Sequence, residues 1–285
     1  MEKFKVAAVQ MNALKGDLEH NLEVHRRFAH KAAQAGCRLV MFPELSTTAH
    51  FGDETATALA QPATGGSIYA AMHDLARELA LVISYGFCEK AHGTYYNAQA
   101  LVGPEGLIGV QRKVHASRDE YFYFRMGRTL EVFDLGFCRV GTLICFDSNF
   151  FEVWRVLALQ EADVILLPHA SRSGWGKAIP PAEQKKSLRK WLGDLPGKYG
   201  VYAADNGVIA VFANQANYNG HSTHSGGAFI MGCDGKIVVK SEAKLDDLMI
   251  VAELDPAEHE AARKAARGSL LLRRPEIYGE LTRMM

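Results

Sequence analysis

Three side chains with complementary chemistry each follow an apolar run: Glu44 in LVMFPELS, Lys113 in VQRKVHA and Cys145 in GTLICFDS. A cysteine attacks an electrophilic carbon once its proton is taken, a carboxylate can take that proton, and an ammonium can donate to the oxyanion that forms. The segment FDSNFFEVWR reads as the start of a helix, so the backbone N–H of Phe146 offers a second oxyanion donor. Each residue taken singly has a plainer use. A Glu after a strand caps a helix or faces water, a Lys at a strand end faces water, and a Cys in an apolar strand is a small buried hydrophobe. Taken together they describe acyl transfer through a thioester.

Such a site needs strands to end at one place. Apolar runs of strand length recur, among them FKVAAVQM, RLVMFP, LALVISYGF, RVGTLICF, ADVILLP and GVIAVFANQ. Several are nearly continuous in Val, Ile and Leu, the pattern of strands buried on both faces. Helix-length segments lie at roughly 18–36, 67–80, 150–162 and 181–205. YYNAQALVGPEGLIGVQRK and GGAFIMGCDGKIVVKS read as hairpins, the second around Asp234-Gly235. Helix-linked strands mixed with hairpins predict an α/β fold with mixed sheets, two sheet layers covered by helices. Without a repeat, a low-complexity stretch or a linker, residues 1–255 read as one domain. The charged, helix-prone residues 256–285 read as a tail that packs on the surface or on a partner subunit.

Composition narrows the function. The 285 residues carry 32 Lys+Arg and 32 Asp+Glu, so no basic excess points to nucleic acid or an anionic membrane. No apolar run approaches the ~18 residues of a membrane span, and the N-terminus has no long apolar core of a secretory signal. Five scattered cysteines, Cys37, Cys88, Cys138, Cys145 and Cys233, suit reduced thiols in a cytoplasm. No glycine-rich phosphate loop follows a strand, so no nucleotide cofactor is expected. His221 and His224 of HSTH, with Cys233 nine residues on, are the nearest approach to a metal set. Without a CxxC or HExxH pattern no metal is expected there. A papain-like site would need its own signature around the cysteine, and that signature is missing.

FPEL, RKVHA and GTLICFDSNFFEVWR, in this order, resemble the three signature segments of the nitrilase superfamily, the carbon–nitrogen hydrolases. The likeness extends to VAAVQM, to the Asn and Ala of YYNAQALVGPEG, and to the GGAFIMGCDGKIV hairpin. It implies a four-layer αββα sandwich with Glu44 as general base, Lys113 as oxyanion stabiliser and Cys145 as nucleophile. It also implies a second glutamate, Glu120, that orients Lys113. Phe151 stands where the family commonly has Pro, which loosens the helix start; Glu152 and Arg155 then read as structural. Phe146-Asp147 is similar to the aromatic-Asp pair of amidases and carbamoyl-amide hydrolases, where nitrilases usually carry Trp-Glu. An amide or N-carbamoyl substrate is therefore expected over a nitrile, and a non-catalytic scaffold is the alternative from another class. The resemblance further implies dimerisation through about 150–162 and part of 181–205, with the tail reaching across.

The substrate side is expected in PHASRSGWGKAIPPAEQKKSLRKWLGDLPGKYG, whose His169, Ser171, Arg172 and Trp175 follow a buried strand. Between residues 169 and 198 seven Lys/Arg face only Glu183 and Asp194. Most of these charges fit a solvated helix face; Arg172, nearest the strand end, is the one placed to grip a carboxylate. His115 and His169 are candidates for proton transfer, with a hydrogen-bonded structural role as the alternative.

Overall fold

The first strand shows how the layers arise. Along Phe4–Gln10 (β1), Phe4, Val6 and Ala8 join one apolar cluster while Ala7 and Val9 join another. Successive side chains of a strand leave by opposite faces, so a strand apolar on both must be covered on both. The computed structural model describes residues 1–50 and 55–283. In it Cys37–Met41 (β2) repeats the pattern, with Leu39 and Met41 beside Val6 and with Val40 on the other side.

Val82–Ala91 (β3) lies parallel to β2, which lies parallel to β1, and Thr94–Gly103 (β4) and Gly106–Arg112 (β5) continue the sheet as antiparallel strands. A second sheet begins with Val132–Asp134 (β6), Arg139–Thr142 (β7) and Val164–His169 (β8). After the short Arg172–Gly174 (β9) it takes up Ile209–Asn214 (β10), parallel to β8. Ala216–Tyr218 (β11) and Thr223–Ser225 (β12) pair with β9 in a small three-stranded sheet. Ala228–Met231 (β13) and Ile237–Lys240 (β14) complete the second sheet, and Leu248–Leu254 (β15) returns to the first, antiparallel to β1 with Leu254 opposite Phe4.

Leu18–Gln34 (α1) and, beyond the single turn Thr55–Ala58 (α2), Ser67–Leu79 (α3) cover the outer face of the first sheet through Phe28, Ala29, Met72 and Leu75. Glu120–Tyr123 (α4) is one turn beside the site. Phe151–Leu159 (α5) and Pro181–Asn206 (α6) cover the second sheet through Trp154, Leu157, Leu188 and Tyr199. Val6, Leu39 and Leu101 meet Val140, Leu166 and Val211 between the sheets. This is the expected four-layer αββα sandwich. Each sheet has six strands, three parallel at the centre, an antiparallel pair on one flank and a single antiparallel strand on the other. The repeat that the sequence hides is one of topology. Phe151 does not loosen its helix: it opens α5, and its ring docks edge-on against Tyr202 of α6 at 5.4 Å.

Pro256–Leu271 (α7) folds back on its own chain, with His259 and Ala266 buried and Ala266 against Gly207. Leu271 at its end and Leu272, Ile277 and Leu281 beyond it are exposed. The last two positions of the expected tail, 284 and 285, lie outside the described residues. No helix among the described residues is long and apolar enough to cross a membrane.

One glycine decides where Glu44 can sit. The turn after β2 lies directly on Gly86 of β3, and a Cβ there would come within 2.1 Å of the Leu45 nitrogen and 2.6 Å of the Pro43 oxygen. Thr47 and Ser46 bond to the same residue, Thr47 N and Oγ1 donating to the Gly86 carbonyl and Gly86 N donating to Ser46 Oγ. Gly86→Ala should cost about 1–3 kcal/mol through overpacking against backbone and displace the Glu44 turn. Denaturant melts should show the loss; a variant of wild-type stability would mean that the turn shifts freely.

Candidate active site

Glu44, Lys113 and Glu120 come from three separate elements and meet with almost no solvent exposure. Glu44 follows β2, Lys113 follows β5, and Glu120 opens α4. Lys113 Nζ donates to Glu44 Oε1 at 2.7 Å and to both oxygens of Glu120 at 2.9 Å. Asn97 on β4 ties the carboxylates together, its Nδ2 donating to Glu44 Oε1 at 2.7 Å and to Glu120 Oε1 at 2.9 Å. Its carbonyl accepts from Lys113 N at 2.9 Å, so one residue sets both the carboxylates and the lysine backbone. Ser117 N and Oγ donate to Glu120 Oε2, and His50 Nε2 sits 3.1 Å from Glu120 Oε1. The second oxygen of Glu44 accepts from Ala170 N at 2.8 Å, a bond from the first sheet to the end of β8 in the second.

These contacts fix the charges. Burial alone would neutralise Lys113, but Glu120 and Glu44 hold its pKa well above the ordinary lysine value. Burial works against the carboxylates too, yet Lys113 and His50 keep both below the ordinary range, Glu120 the further. Glu44, His50 and Glu120 place potential ligand atoms within 4.8 Å of one another. The cation they enclose is the Lys113 ammonium.

Cys145 stands at the turn after β7 with φ of 48°, a left-handed conformation unusual for a side chain with a Cβ. The turn continues as a 3-10 segment, Cys145–Asn149, whose first N–H groups lack partners within the turn. Phe146 supplies one of them, its ring half exposed and edge-on to Phe150. Asp147 points inward. Its carboxylate accepts from Ile144 N on one side and from Val114 N, His115 N and His115 Nδ1 on the other. Asp147 thus clamps the residues after Lys113 to the nucleophile turn. His115, stacked on Phe150 at 4.0 Å, is part of that clamp.

Of the five cysteines Cys145 is the most exposed, a partly buried residue, and the other four are buried. Its thiol is pushed up to about 12, by burial first and Glu44 second, with Lys113 pulling the other way. Burial is the main reason the resting sulfur keeps its proton, Glu44 adds to it, and the thiol must lose that proton to a base as it attacks.

The remaining candidates divide between two places. His169 is buried behind the cysteine, its nitrogens 3.2 Å from Ser148 Oγ and 3.0 Å from Ser171 Oγ. Arg172 lies over the Trp175 ring at 3.8 Å, and Arg118 approaches the same ring at 5.6 Å. The buried Arg172 Nη1 has no hydrogen-bond partner among the described residues. His224 bonds Asn219 and the Ala170 carbonyl, whereas Cys233 lies beside Arg263, so HSTH and Cys233 form no three-ligand group among the described residues.

The carbon-nitrogen hydrolase family model matches residues 5–264. The chain belongs to this family, the nitrilase superfamily. It is 38% identical over 178 residues to a nitrilase of Pyrococcus abyssi, covering 59% of this chain and 68% of that one. It is 29% identical to the N-carbamoylputrescine amidase of Solanum tuberosum over 96% of this chain and 93% of the relative. A carbon-nitrogen hydrolase from Helicobacter pylori has the same fold, with TM-score 0.83, 22% identity and 99% of both chains covered. An amidase from Nesterenkonia superposes with TM-score 0.77 and 20% identity over 97% of this chain and 96% of its own; its active-site cysteine was captured with the acetamide moiety of fluoroacetamide covalently added.

Two tests follow from this carbon–nitrogen hydrolase site. Brief treatment of the native protein with iodoacetamide should label Cys145 first, increasingly as pH rises through the alkaline range; peptide mass spectrometry that found another cysteine labelled first would contradict the burial pattern. Lys113→Met should destabilise the fold by about 3–5 kcal/mol by leaving two buried carboxylates unpaired. The pH dependence should change sign. In the wild type both carboxyl pKa values are depressed, so their contribution is lost as pH falls through them. In the variant the same groups are raised, so stability should recover as pH falls and decline as it rises.

Proposed function

We propose that this protein hydrolyses small amides or N-carbamoyl compounds through a thioester on Cys145. The observation that carries the reading is the buried Glu44–Lys113–Glu120 lattice beside Cys145, the partly exposed cysteine. Glu44 takes the thiol proton while sulfur attacks the carbonyl carbon. The oxyanion is met by Lys113 Nζ and the Phe146 N–H. As the tetrahedral adduct collapses, the C–N bond breaks and Glu44 returns the proton to the leaving ammonia or amine. Water, deprotonated by Glu44, then attacks the thioester and releases the acid and the thiol. Glu120 holds Lys113 charged and in place.

Arg172 supports a narrower statement. A guanidinium with an unsatisfied buried nitrogen, stacked on Trp175, fits a substrate bearing a carboxylate. Arg172→Leu should raise KM for carboxylate-bearing amides about 10- to 100-fold, the worth of a charge-assisted hydrogen bond, and change neutral amides little. Equal effects on both classes would remove the carboxylate from the reading.

The general test is ammonia release from a panel of amides, ureido compounds and nitriles, with Cys145→Ala as control. Release from amides or ureido compounds that the variant abolishes is the expected result. Release from nitriles alone would favour the second reading, a nitrilase, which rests on the Pyrococcus relative. We further propose self-association through the exposed Leu271, Leu272, Ile277 and Leu281. Deleting residues 272–285 should shift the protein towards monomer on a sizing column, and an unchanged oligomer would refute the tail's part in it.

A further inference from the structure

Behind Cys145 lies a row of hydroxyls and one imidazole whose protons can be assigned by counting donors. Ser148 Oγ is 2.6 Å from the Cys145 carbonyl oxygen. A carbonyl cannot donate, so the single Ser148 proton is spent there. Ser148 Oγ must then accept from its other two neighbours, the Tyr199 hydroxyl at 2.8 Å and His169 Nε2 at 3.2 Å. His169 therefore carries a proton on Nε2. Burial pushes its pKa down to about 3, so the ring is neutral and Nδ1 is a bare acceptor. Ser171 Oγ, 3.0 Å from Nδ1, donates to it. What Ser171 presents to Cys145 Sγ, 3.6 Å away, is a lone pair.

We propose that His169, through Ser171, holds the resting Cys145 as a thiol: the S–H donates to Ser171 Oγ, whose own proton His169 keeps turned away from sulfur. Ser171 touches the reacting atom, and His169 is a positioning residue. The consequence is a guarded nucleophile. Alkylating agents and peroxides react with thiolate, and a lone pair facing sulfur disfavours thiolate until Glu44 accepts the proton. The other groups facing this sulfur are Glu44, Glu120, Lys113, Arg172 and the Ala170 N–H, which favours thiolate, with the Tyr199 phenol behind. None of them is altered by the substitutions below. The inference rests on Cys145 being the nucleophile, but its test needs no substrate, so it can fail while hydrolysis stands.

Two measurements decide it. In wild-type protein labelled with 15N-histidine, the His169 resonances, assigned by their disappearance in His169→Gln, should report a neutral ring protonated on Nε2. An Nδ1-protonated or charged ring at neutral pH would overturn the proposal. For reactivity, Ser171→Ala should react with iodoacetamide at pH 8 about threefold faster, the effect of lowering the thiol pKa by about half a unit. Ser171→Thr, which keeps the hydroxyl, should stay at the wild-type rate. His169→Gln frees the Ser171 proton to turn towards sulfur and should react faster still, an increase that vanishes when Ser171 is already Ala. A slower Ser171→Ala, or an effect of His169→Gln that persists in the double variant, would show that Ser171 donates to sulfur or takes no part.

Discussion

Everything near the site is arranged around one buried ammonium shared by two carboxylates. Lys113 cannot stay charged out of water without Glu44 and Glu120, and neither carboxylate could stay ionised without Lys113. The carboxylate oxygens are further satisfied by the donors around them: the Asn97 amide, the Ser117 N–H and hydroxyl, the Ala170 N–H and the His50 ring. They come from β4, from the loop before α4, from the segment after β2 and from just past the end of β8, so the carboxylates are fully bonded only when both sheets are in place.

Burial shapes the thiol. Out of water the sulfur is left protonated, Glu44 adds to the effect, and Lys113 offsets only part of it. The strained Cys145 backbone is held from two directions, by Asp147 towards the lysine segment and by Ser148 towards Tyr199 and His169. Asp147 explains in part why an acidic residue stands two positions after the cysteine. Its carboxylate faces backbone N–H groups, so the residue acts on the placement of the turn.

The sequence displayed the reacting side chains because each ends an apolar run, and strand ends are where such folds expose polar groups. The layers were legible for the same reason: doubly buried strands need covers on both faces. What was illegible depends on contacts across long separations. Nothing local marks Gly86 as the floor under Glu44, or separates Ser148 from any serine in a turn. His169 stood out as a histidine at a strand end, yet only the packing places it behind the cysteine with both nitrogens engaged. The sign of the thiol's shift was also hidden, since it depends first on how deeply the fold buries the sulfur and then on the charges around it. The doubled topology left no trace in the residues, because one strand order can be built from unrelated apolar runs.

The return of β15 to β1 sets a clock. During synthesis β1 emerges first and soon finds β2, but its other edge waits for residues 248–254. Until then the nascent chain holds an unpaired strand edge, the kind of surface that recruits other chains. The Glu44 turn belongs to that unfinished sheet. Gln10 at the end of β1 is likewise waiting, for the Gly227 N–H and the carbonyls of Lys244 and Asp246. The sheet that carries the Glu44 turn is therefore complete only once residues 248–254 have been made, and a product that stops short of them keeps the open strand edge.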